Sequence, residues 1–435
     1  MKKSVFVFVM FLCVVFFGLG CEVMTDWELN VWVIPSEGGS VSRNPDKHGY
    51  NFREKVTLTA TPNAGYIFDG WYDGHYSADM ISTNETITES IGSDRSGELV
   101  ARFRHSGTFN LHDSAEWEKA LNVIDKSGWL KGIRSDGREV GFGADWDTNT
   151  TYTINVLDDI VVSSDSGITF YSKIFKTFNS RTDLTVTLQG NATISGGLSV
   201  GNGQTVIMKD LTLKGSVYID SGTFTMESGT ISGRVYVDSG GTFNMGGGTI
   251  SGNRDNYSAG VSVGGGTFNM DGGTISDNTG YYGGGVYVRN GIFNMNGGRI
   301  SGNTNDVGGG GVRVDSGGAF TMTGGAIWGN TASNRGGGVY VNGNAIFSKT
   351  GGLINGYDGD PVNGNKAVCI NDEYYDCGYG HAVFVDRVRY EVVVDGITHV
   401  TYGSNPVKRK ETSAVRYMDL YYNGVTGEFS GAWDY

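Results

Sequence analysis

Three aspartates and two arginines are the best candidates for a ligand-binding or catalytic role in this sequence. Asp220, Asp238 and Asp315 each begin the phrase Asp-Ser-Gly directly after a short apolar segment. Carboxylates at equivalent points of a repeat could share a cation, because hard cations such as Ca²⁺ prefer oxygen ligands. Arg289 and Arg313 lie on adjacent repeats, where two guanidinium groups could bind an acidic sugar. These five side chains form a candidate cation or ligand face.

Other repeats place different residues near the same points, which weakens the case for a site. Gly264, Arg289 and Asn342 occupy nearby slots, and only Asp220 and Asp238 are expected one turn apart. Asp-Ser-Gly is also common turn chemistry, so a turn preference explains the phrase better than a shared cation does. The 6 histidines have no evident triad partners. We therefore predict no catalytic, cofactor-binding or metal-binding residue and no cofactor.

These residues belong to an internal repeat. The phenylalanines of its Phe-Asn-Met phrase and of that phrase's variants are 19 residues apart at first and then 25 to 27. They are Phe224, Phe243, Phe268, Phe293, Phe320 and Phe347. A valine series and an isoleucine series keep step with them. Self-similarity at such a period is typical of a solenoid.

The local pattern predicts which solenoid forms. Val286 and Val288 alternate with polar or aromatic neighbours, as do Phe293 and Met295, which is typical of short strands with one buried face. Three such strands per turn predict an all-β fold, a right-handed parallel β-helix, with turns about 4.8 Å apart. The asparagines near the end of each phrase are predicted to form a stacked ladder at one corner. They are Asn253, Asn278, Asn303 and Asn330.

The repeated phrases resemble the right-handed parallel β-helix proteins of the pectin-lyase-like group, in the form found on bacterial surfaces. The predicted β-helix spans 151–400, with a C-terminal cap at 401–435. Many members of this group cleave acidic polysaccharides, so the resemblance keeps a lyase or glycosidase as the alternative function. Those enzymes need clustered carboxylates, with a basic residue in the lyases, and the repeat shows no such constellation.

An insertion interrupts the last predicted turns. Val383, in the phrase GHAVFVD, lies 44 residues after Val339, about 17 more than one turn needs. We expect the loop to cover about 355–380, where Cys369 and Cys377 flank a short segment. In an oxidising compartment these two cysteines would pair as a disulfide. A metal pair is the less favoured alternative, because no second Cys or His pair has zinc-site spacing.

A separate β module precedes the repeat. The stretch VTLTATPNAGYIFDGW, from Val56 to Trp71, alternates in polarity and contains a turn. It resembles the divergent internalin-type B repeat of bacterial surface proteins, which implies a β-grasp-like module at 28–104. Trp71 is expected in its core, with ligand stacking as the alternative.

The segment 110–150 is expected to be a linker and a helical cap. Asp113 followed by Glu116 predicts a helix start, and Trp117, Leu121 and Ile124 share one apolar face. A lone amphipathic helix before a β-helix is well placed to cover its open end.

The N-terminus resembles a bacterial lipoprotein signal at 1–21. Lys2 and Lys3 precede an apolar run, and Gly18-Leu19-Gly20 leads to Cys21, the expected lipidation site. Cleaved secretion and an uncleaved anchor are the alternatives.

A net charge of −13 disfavours nucleic acid as a partner. We expect an envelope lipoprotein, surface-exposed or periplasmic and held to the membrane by its N-terminal lipid. It would act as an adhesion, binding or scaffold protein for a host, matrix or glycan ligand, and not as an enzyme.

Overall fold

The chain forms two compact units. One comprises Met1–Ser106 with Lys126–Asn149, and the other comprises Gly107–Asp125 with Thr150–Tyr435. The computed structural model describes residues 27–74, 79–92, 98–125, 130–134, 139–142, 150–162, 184–201, 203–255, 257–258, 260–342, 345–355, 364–368, 383–394, 397–405, 420–423 and 428–430.

Two sheets make up the described part of the first unit. In hydrogen-bonded order, the larger sheet contains Glu139–Phe142, Leu130–Arg134, Asn30–Ile34, Glu98–His105, Tyr66–Asp73 and Met80–Ser82. The smaller, antiparallel sheet contains Gly39–Asn44, Lys55–Pro62 and Thr86–Ser90. In Lys55–Pro62, buried Val56, Leu58 and Ala60 alternate with half-buried or exposed polar residues, as the sequence predicted.

Trp71 lies in the core of this module. Its side chain is fully buried, and its ring centroid is 5.6 Å from that of Phe68. The indole Nε1 donates a hydrogen bond to the carbonyl oxygen of Asn84 at 3.1 Å, so the one polar atom of the ring is satisfied. The core role of Trp71 is therefore observed, and a ligand could not stack on a ring with no exposed surface.

The first sheet extends beyond the segment that the sequence assigned to it. Leu130–Arg134 and Glu139–Phe142 form an antiparallel hairpin, and the first of these strands pairs with Asn30–Ile34. This hairpin falls in the segment 110–150, which was expected to be a linker and a cap. Its addition covers an edge of Asn30–Ile34, where unpaired backbone groups would otherwise face solvent.

A helix, Ser114–Asp125, belongs to the second unit and begins with the expected capping box. Asp113 Oδ1 accepts a hydrogen bond from the Glu116 amide at 2.8 Å, and Glu116 Oε2 accepts one from the His112 amide at 2.6 Å. The Asp113 carboxylate satisfies an amide group that the first helical turn leaves unpaired, and Glu116 bonds back to His112, the residue before the N-cap. The predicted apolar face is buried in the same cluster as the first coils: Trp117, Leu121 and Ile124.

Three long sheets form the sides of a parallel β-helix. The phenylalanine sheet contains Thr108–Leu111, Thr151–Val156, Thr185–Gln189, Thr205–Lys209, Thr223–Met226, Thr242–Met245, Thr267–Met270, Ile292–Met295, Ala319–Met322, Ile346–Lys349, Leu420–Asn423 and Glu428–Ser430. The isoleucine sheet contains Ile160–Val161, Thr193–Ser195, Thr212–Lys214, Thr230–Ile231, Thr249–Ser251, Thr274–Ser276, Arg299–Ser301, Ala326–Trp328 and Leu353–Ile354. The valine sheet contains Leu198–Val200, Val217–Ile219, Val235–Val237, Val261–Val263, Val286–Val288, Val312–Val314, Val339–Asn342, Val383–Val394 and Ile397–Asn405.

Identical side chains stack inside the coils. From Phe243 to Phe320, successive phenylalanine rings are separated by 4.7 to 4.8 Å and are tilted by only 6 to 8°. This distance equals the spacing of about 4.8 Å between neighbouring strands, so each ring lies on the equivalent ring of the next coil. Each side chain is buried by the coils above and below it, and stability is therefore shared along the stack.

A fourth side appears part-way along the stack. The fourth sheet contains Arg254–Asp255, Thr279–Gly280, Thr304–Asn305, Thr331–Ala332 and Lys366–Ala367. The prediction of three strands per turn is thus incomplete for the later coils. The phenylalanine spacing rises from 19 to between 25 and 27 residues at this point, and the six to eight added residues build the extra side.

The predicted asparagine ladder lies at the corner between the isoleucine sheet and the fourth sheet. Each Nδ2 donates to the Oδ1 of the next asparagine at 2.8 to 2.9 Å, and the side chains from Asn278 onward are fully buried. The ladder continues to Asn365, which the sequence did not single out. Lys366 and Ala367 also pair in parallel with Thr331 and Ala332 of the fourth sheet. The insertion loop expected at about 355–380 is therefore interrupted where 364–368 rejoins the stack.

Antiparallel strands end two of the sheets. Val383 pairs with Val339 in parallel, as the phrase GHAVFVD predicted, and Val383–Val394 then pairs with Ile397–Asn405 in the antiparallel direction. Leu420–Asn423 likewise runs antiparallel to Ile346–Lys349. The change of direction occurs in and just before the segment 401–435 that was expected to cap the stack.

Replacing a stacked phenylalanine tests how far burial stabilises the coils. We expect Phe293→Ala to lower the free energy of unfolding by about 3–5 kcal/mol, because the cavity cannot close between two fixed coils. Chemical denaturation followed by circular dichroism measures this. Ile292→Ala is the matched control, since Ile292 is in the same strand but is exposed on the outer face, and we expect a change within about 0.5 kcal/mol. Equal losses for the two variants would contradict the stacking account.

A surface histidine makes one contact pH-dependent. His112 Nδ1 lies 2.7 Å from Asp158 Oδ2, and this hydrogen bond to a carboxylate is the main cause that raises the pKa of His112 above its ordinary value. The contact therefore contributes stability at pH values below the ordinary histidine pKa, and this contribution is lost as the pH rises through the raised pKa. NMR titration of Asp158→Asn should return the His112 pKa toward its ordinary value. An identical titration curve in both proteins would disprove the contact.

Candidate functional site

The structure separates the three aspartates that the sequence treated as equivalent. Asp220 and Asp238 are exposed on successive coils, where the amide of Asp238 donates to the carbonyl oxygen of Ile219 at 2.9 Å. Each carboxylate accepts a hydrogen bond from the serine that follows it in the same turn. Asp220 Oδ1 accepts from Ser221 Oγ at 3.1 Å, and Asp238 Oδ1 accepts from the Ser239 amide at 2.8 Å. This local bonding is the turn preference that the sequence favoured.

A shared cation gains no support from the described geometry. Within the ranges that the structure describes, no three His, Cys, Asp or Glu side chains come together as a metal ion would require. Ca²⁺ takes about six to eight oxygen ligands, far more than two exposed carboxylates supply.

Asp315 lies in a different environment and links three coils. It is half-buried and accepts three hydrogen bonds, from Tyr287 Oη at 2.8 Å, Arg313 Nε at 3.0 Å and Asn342 Nδ2 at 3.1 Å. The donors come from three successive strands of the valine sheet. Asp315 is therefore a polar joint between coils, and the structure brings together Asp315 and Arg313 but not Asp220 or Asp238.

Arg313 is held between two aromatic rings. Its guanidinium carbon is 4.8 Å from the ring centroid of Tyr340 and 5.4 Å from that of Tyr282, which is cation–π geometry. The side chain is 6% exposed, and its Nη1 is buried without a hydrogen-bond partner. A planar guanidinium can stack on aromatic faces, whereas a lysine ammonium could not stack in this way.

Tyrosines surround this ion pair. Tyr282 contacts Tyr257 at 4.9 Å, Tyr281 at 4.8 Å and Tyr287 at 6.0 Å between ring centroids. Arg289, the other arginine of the candidate face, joins the cluster through Tyr257, because its Nη1 donates to Tyr257 Oη at 3.3 Å. The tyrosine–arginine cluster comprises Tyr257, Tyr281, Tyr282, Tyr287, Arg289, Arg313, Asp315 and Tyr340.

Glycine-rich segments let the chain approach the outer face of the valine sheet. Gly309 has φ +84°, and a Cβ there would lie 2.8 Å from the Cβ of Arg313. A Cβ on Gly283 would similarly lie 2.9 Å from the Cβ of Tyr287. Residues with side chains could not approach this closely, so Gly283 and Gly309 allow the chain to lie directly against Tyr287 and Arg313.

Burial and hydrogen bonds determine the protonation states of the side chains in the cluster. Burial, followed by the hydrogen bond to Asp315, raises the pKa of Tyr287 far above its ordinary value, so its hydroxyl stays protonated and donates. The hydrogen bond to Tyr257 raises the pKa of Arg289. Arg289 is exposed, and Tyr257 and Tyr281 are 39% and 45% exposed. The inner part of the cluster is thus a fixed support, and these three side chains form a surface suited to stacking and to binding an anion.

Sequence reasoning found the two arginines and Asp315 but missed the tyrosines. The available signal was the change of period, because the cluster lies on coils that have gained a fourth side. Cys21, Cys369 and Cys377 lie outside the described residues, so their lipidation and disulfide pairing stay predictions.

The comparisons concern mainly the N-terminal module. Residues 29–104 match the family model of the divergent InlB B-repeat domain. This confirms the expected B repeat for that part of the chain. No curated protein and no solved structure matches. Within the described ranges, we find no helix with the length and apolar character that crossing a bilayer requires.

Substitution of Asp315 tests whether this aspartate, rather than Asp238, stabilises the folded chain. We expect Asp315→Ala to cost about 3–5 kcal/mol of unfolding free energy, because it leaves Arg313 as a buried charge without its carboxylate. Thermal and chemical denaturation measure the loss. Asp238→Ala is the control, and we expect a change within about 0.5 kcal/mol there. The double variant Arg313→Met/Asp315→Leu should recover most of the loss, and failure to recover any of it would show that the ion pair is not the cause.

Proposed function

We propose that this protein is a lipid-anchored envelope protein that binds or scaffolds an extracellular partner. The exposed aromatic and cationic side chains Tyr257, Tyr281 and Arg289 carry the proposal, because they rest on a rigid, buried support. Tyrosine and arginine are enriched where proteins bind partners, since they combine large contact area with directed polar groups. The B-repeat module at 29–104, of a type associated with adhesion, supports the same role.

The ligand that fits this surface is a host, matrix or glycan molecule. Aromatic rings stack on flat apolar faces such as those of sugar rings, and Arg289 supplies donors for an acidic or hydroxyl group. The net charge of −13 makes nucleic acid a poor partner. Attachment to the membrane would be through a lipid on Cys21, which leaves the chain on the cell surface or in the periplasm.

A polysaccharide-active enzyme is the competing function, and its support is kinship of fold alone. The stack of parallel coils is a framework on which both binding and cleavage occur. The two functions differ in the product that they leave, so incubation with acidic polysaccharides should release no reducing or unsaturated ends. Release of such ends would favour the enzyme over the binding protein.

Glycan and matrix-protein arrays test the binding role. We expect Tyr257→Ser/Arg289→Ser to weaken binding by about tenfold or more, because it removes an exposed ring and its bonded cation. The matched control is Arg299→Ser/Trp328→Ser, which removes another arginine–aromatic contact, 5.2 Å long, from the isoleucine sheet. Equal weakening in both variants, or no ligand in any array, would count against this face as the binding site.

Protease treatment of intact cells, with mass analysis of the N-terminal peptide, tests the location. Digestion of the chain on whole cells together with a lipid on Cys21 would favour a surface adhesin. Protection until the envelope is broken would favour a periplasmic scaffold.

A further inference from the structure

Two large aromatic side chains are exposed side by side where the chain enters the B-repeat module. Trp27 is 47% exposed and Phe52 is 54% exposed, and their ring centroids are 5.8 Å apart. In contrast, Trp32 and Trp71 of the same module are buried. Trp27 and Phe52 form what we call the aromatic patch.

The backbone under the patch is fixed in place. The amide of Trp27 donates to the carbonyl oxygen of Tyr50 at 3.3 Å, and the amide of Tyr50 donates back to Trp27 at 3.2 Å. Tyr50 is itself fully buried. The turn that carries Phe52 is closed by Glu54, whose Oε2 accepts from the Asn51 amide at 2.8 Å. Both rings are therefore held outward by ordered backbone.

Gly92 supports the two rings from below. It has φ +75°, and a Cβ at this position would lie 2.6 Å from Phe52 and 3.6 Å from Trp27. The absence of a side chain lets Phe52 lie directly against the backbone. Each ring thus has one side against the backbone of Gly92, and about half of each side chain remains exposed.

A cation borders the patch. The guanidinium carbon of Arg53 is 5.3 Å from the ring centroid of Phe52. Tryptophan is enriched at the level of lipid headgroups, and an arginine there can extend its charge to the phosphates while its stem stays on apolar surface. This composition fits a bilayer interface, whereas a lone apolar patch without a cation would fit many partners.

The segment between Cys21 and Trp27 is short enough to keep the aromatic patch close to a membrane that holds Cys21. Trp27 follows Cys21 by six residues, which span about 20 Å or less when fully extended. We infer that the aromatic patch inserts among the headgroups of the membrane that holds the N-terminus, and that it thereby fixes how the B-repeat module lies on the bilayer. The inference rests on the proposed anchoring at Cys21.

Depth-dependent fluorescence quenching tests the contact. The full chain is purified from membranes, the mass of its N-terminal peptide is measured, and it is reconstituted in phosphatidylcholine–phosphatidylglycerol vesicles with or without brominated lipid. The signal of Trp27 is the emission that disappears in Trp27→Phe, which keeps an aromatic ring at the patch. We expect brominated lipid to remove most of this signal.

Two further variants distinguish a specific contact of the aromatic patch from nonspecific adsorption to vesicles. Phe52→Ser should reduce the quenching of Trp27, because the ring beside it is lost. Met80→Ser is the control, since Met80 is 50% exposed on the same module but outside the patch, and it should change nothing.

The possible failures are distinguishable. A lipid-modified Cys21 with an unquenched Trp27 would overturn the membrane contact and leave the proposed anchoring intact. An unmodified Cys21 in a chain that does not float with vesicles would overturn both proposals. A quenched Trp27 in a vesicle-bound chain without the lipid would support the contact and overturn only the lipidation.

Discussion

In-register stacking of one coil on the next is the constraint on which the second unit depends. Each coil buries one face of short strands, such as Ile292–Met295, and a strand of four residues cannot bury that face by itself. The neighbouring coil supplies both the hydrogen-bond partners and the other half of the apolar contact. Phenylalanine therefore meets phenylalanine from Phe224 to Phe347, and asparagine meets asparagine from Asn253 to Asn365. The repetition of the sequence is the direct consequence of this geometry.

The same constraint explains where chemistry can appear. Positions that point inward are determined by the stack, so variation is confined to outward positions and to the segments that join the strands. The fourth side begins at Arg254, and its joining segments carry Tyr257, Tyr281 and Tyr282. Their glycines allow these tyrosines to pack on the outer face of the valine sheet. A longer coil thus creates a second, smaller packed layer outside the main core.

The fold could be predicted from the sequence because its signals are local and repeated. The period, the alternation within strands and the asparagine ladder from Asn253 to Asn330 can all be read along the chain. The fourth sheet, Asn365 and the hairpin from Leu130 to Phe142 could not. Each is defined by pairing with residues far away in the sequence, and each has a weak local pattern. The tyrosine–arginine cluster was missed for the same reason, since its contacts join separate coils.

Departures from the repeat also have a structural role. A stack of identical coils has no unique register, because a slip by one whole coil restores every apolar contact. Arg313 stands where neighbouring coils have Tyr287 and Tyr340, and Asp315 joins all three. A slipped stack would move Arg313 and Asp315 together, since they belong to one coil. It would separate Asp315 from Tyr287 and Asn342, and Arg313 from the rings of Tyr282 and Tyr340. Residues that depart from the repeat, such as Arg313, can thus specify a single alignment of the coils. Arg313 and Asp315 also support the exposed tyrosines that a partner would contact.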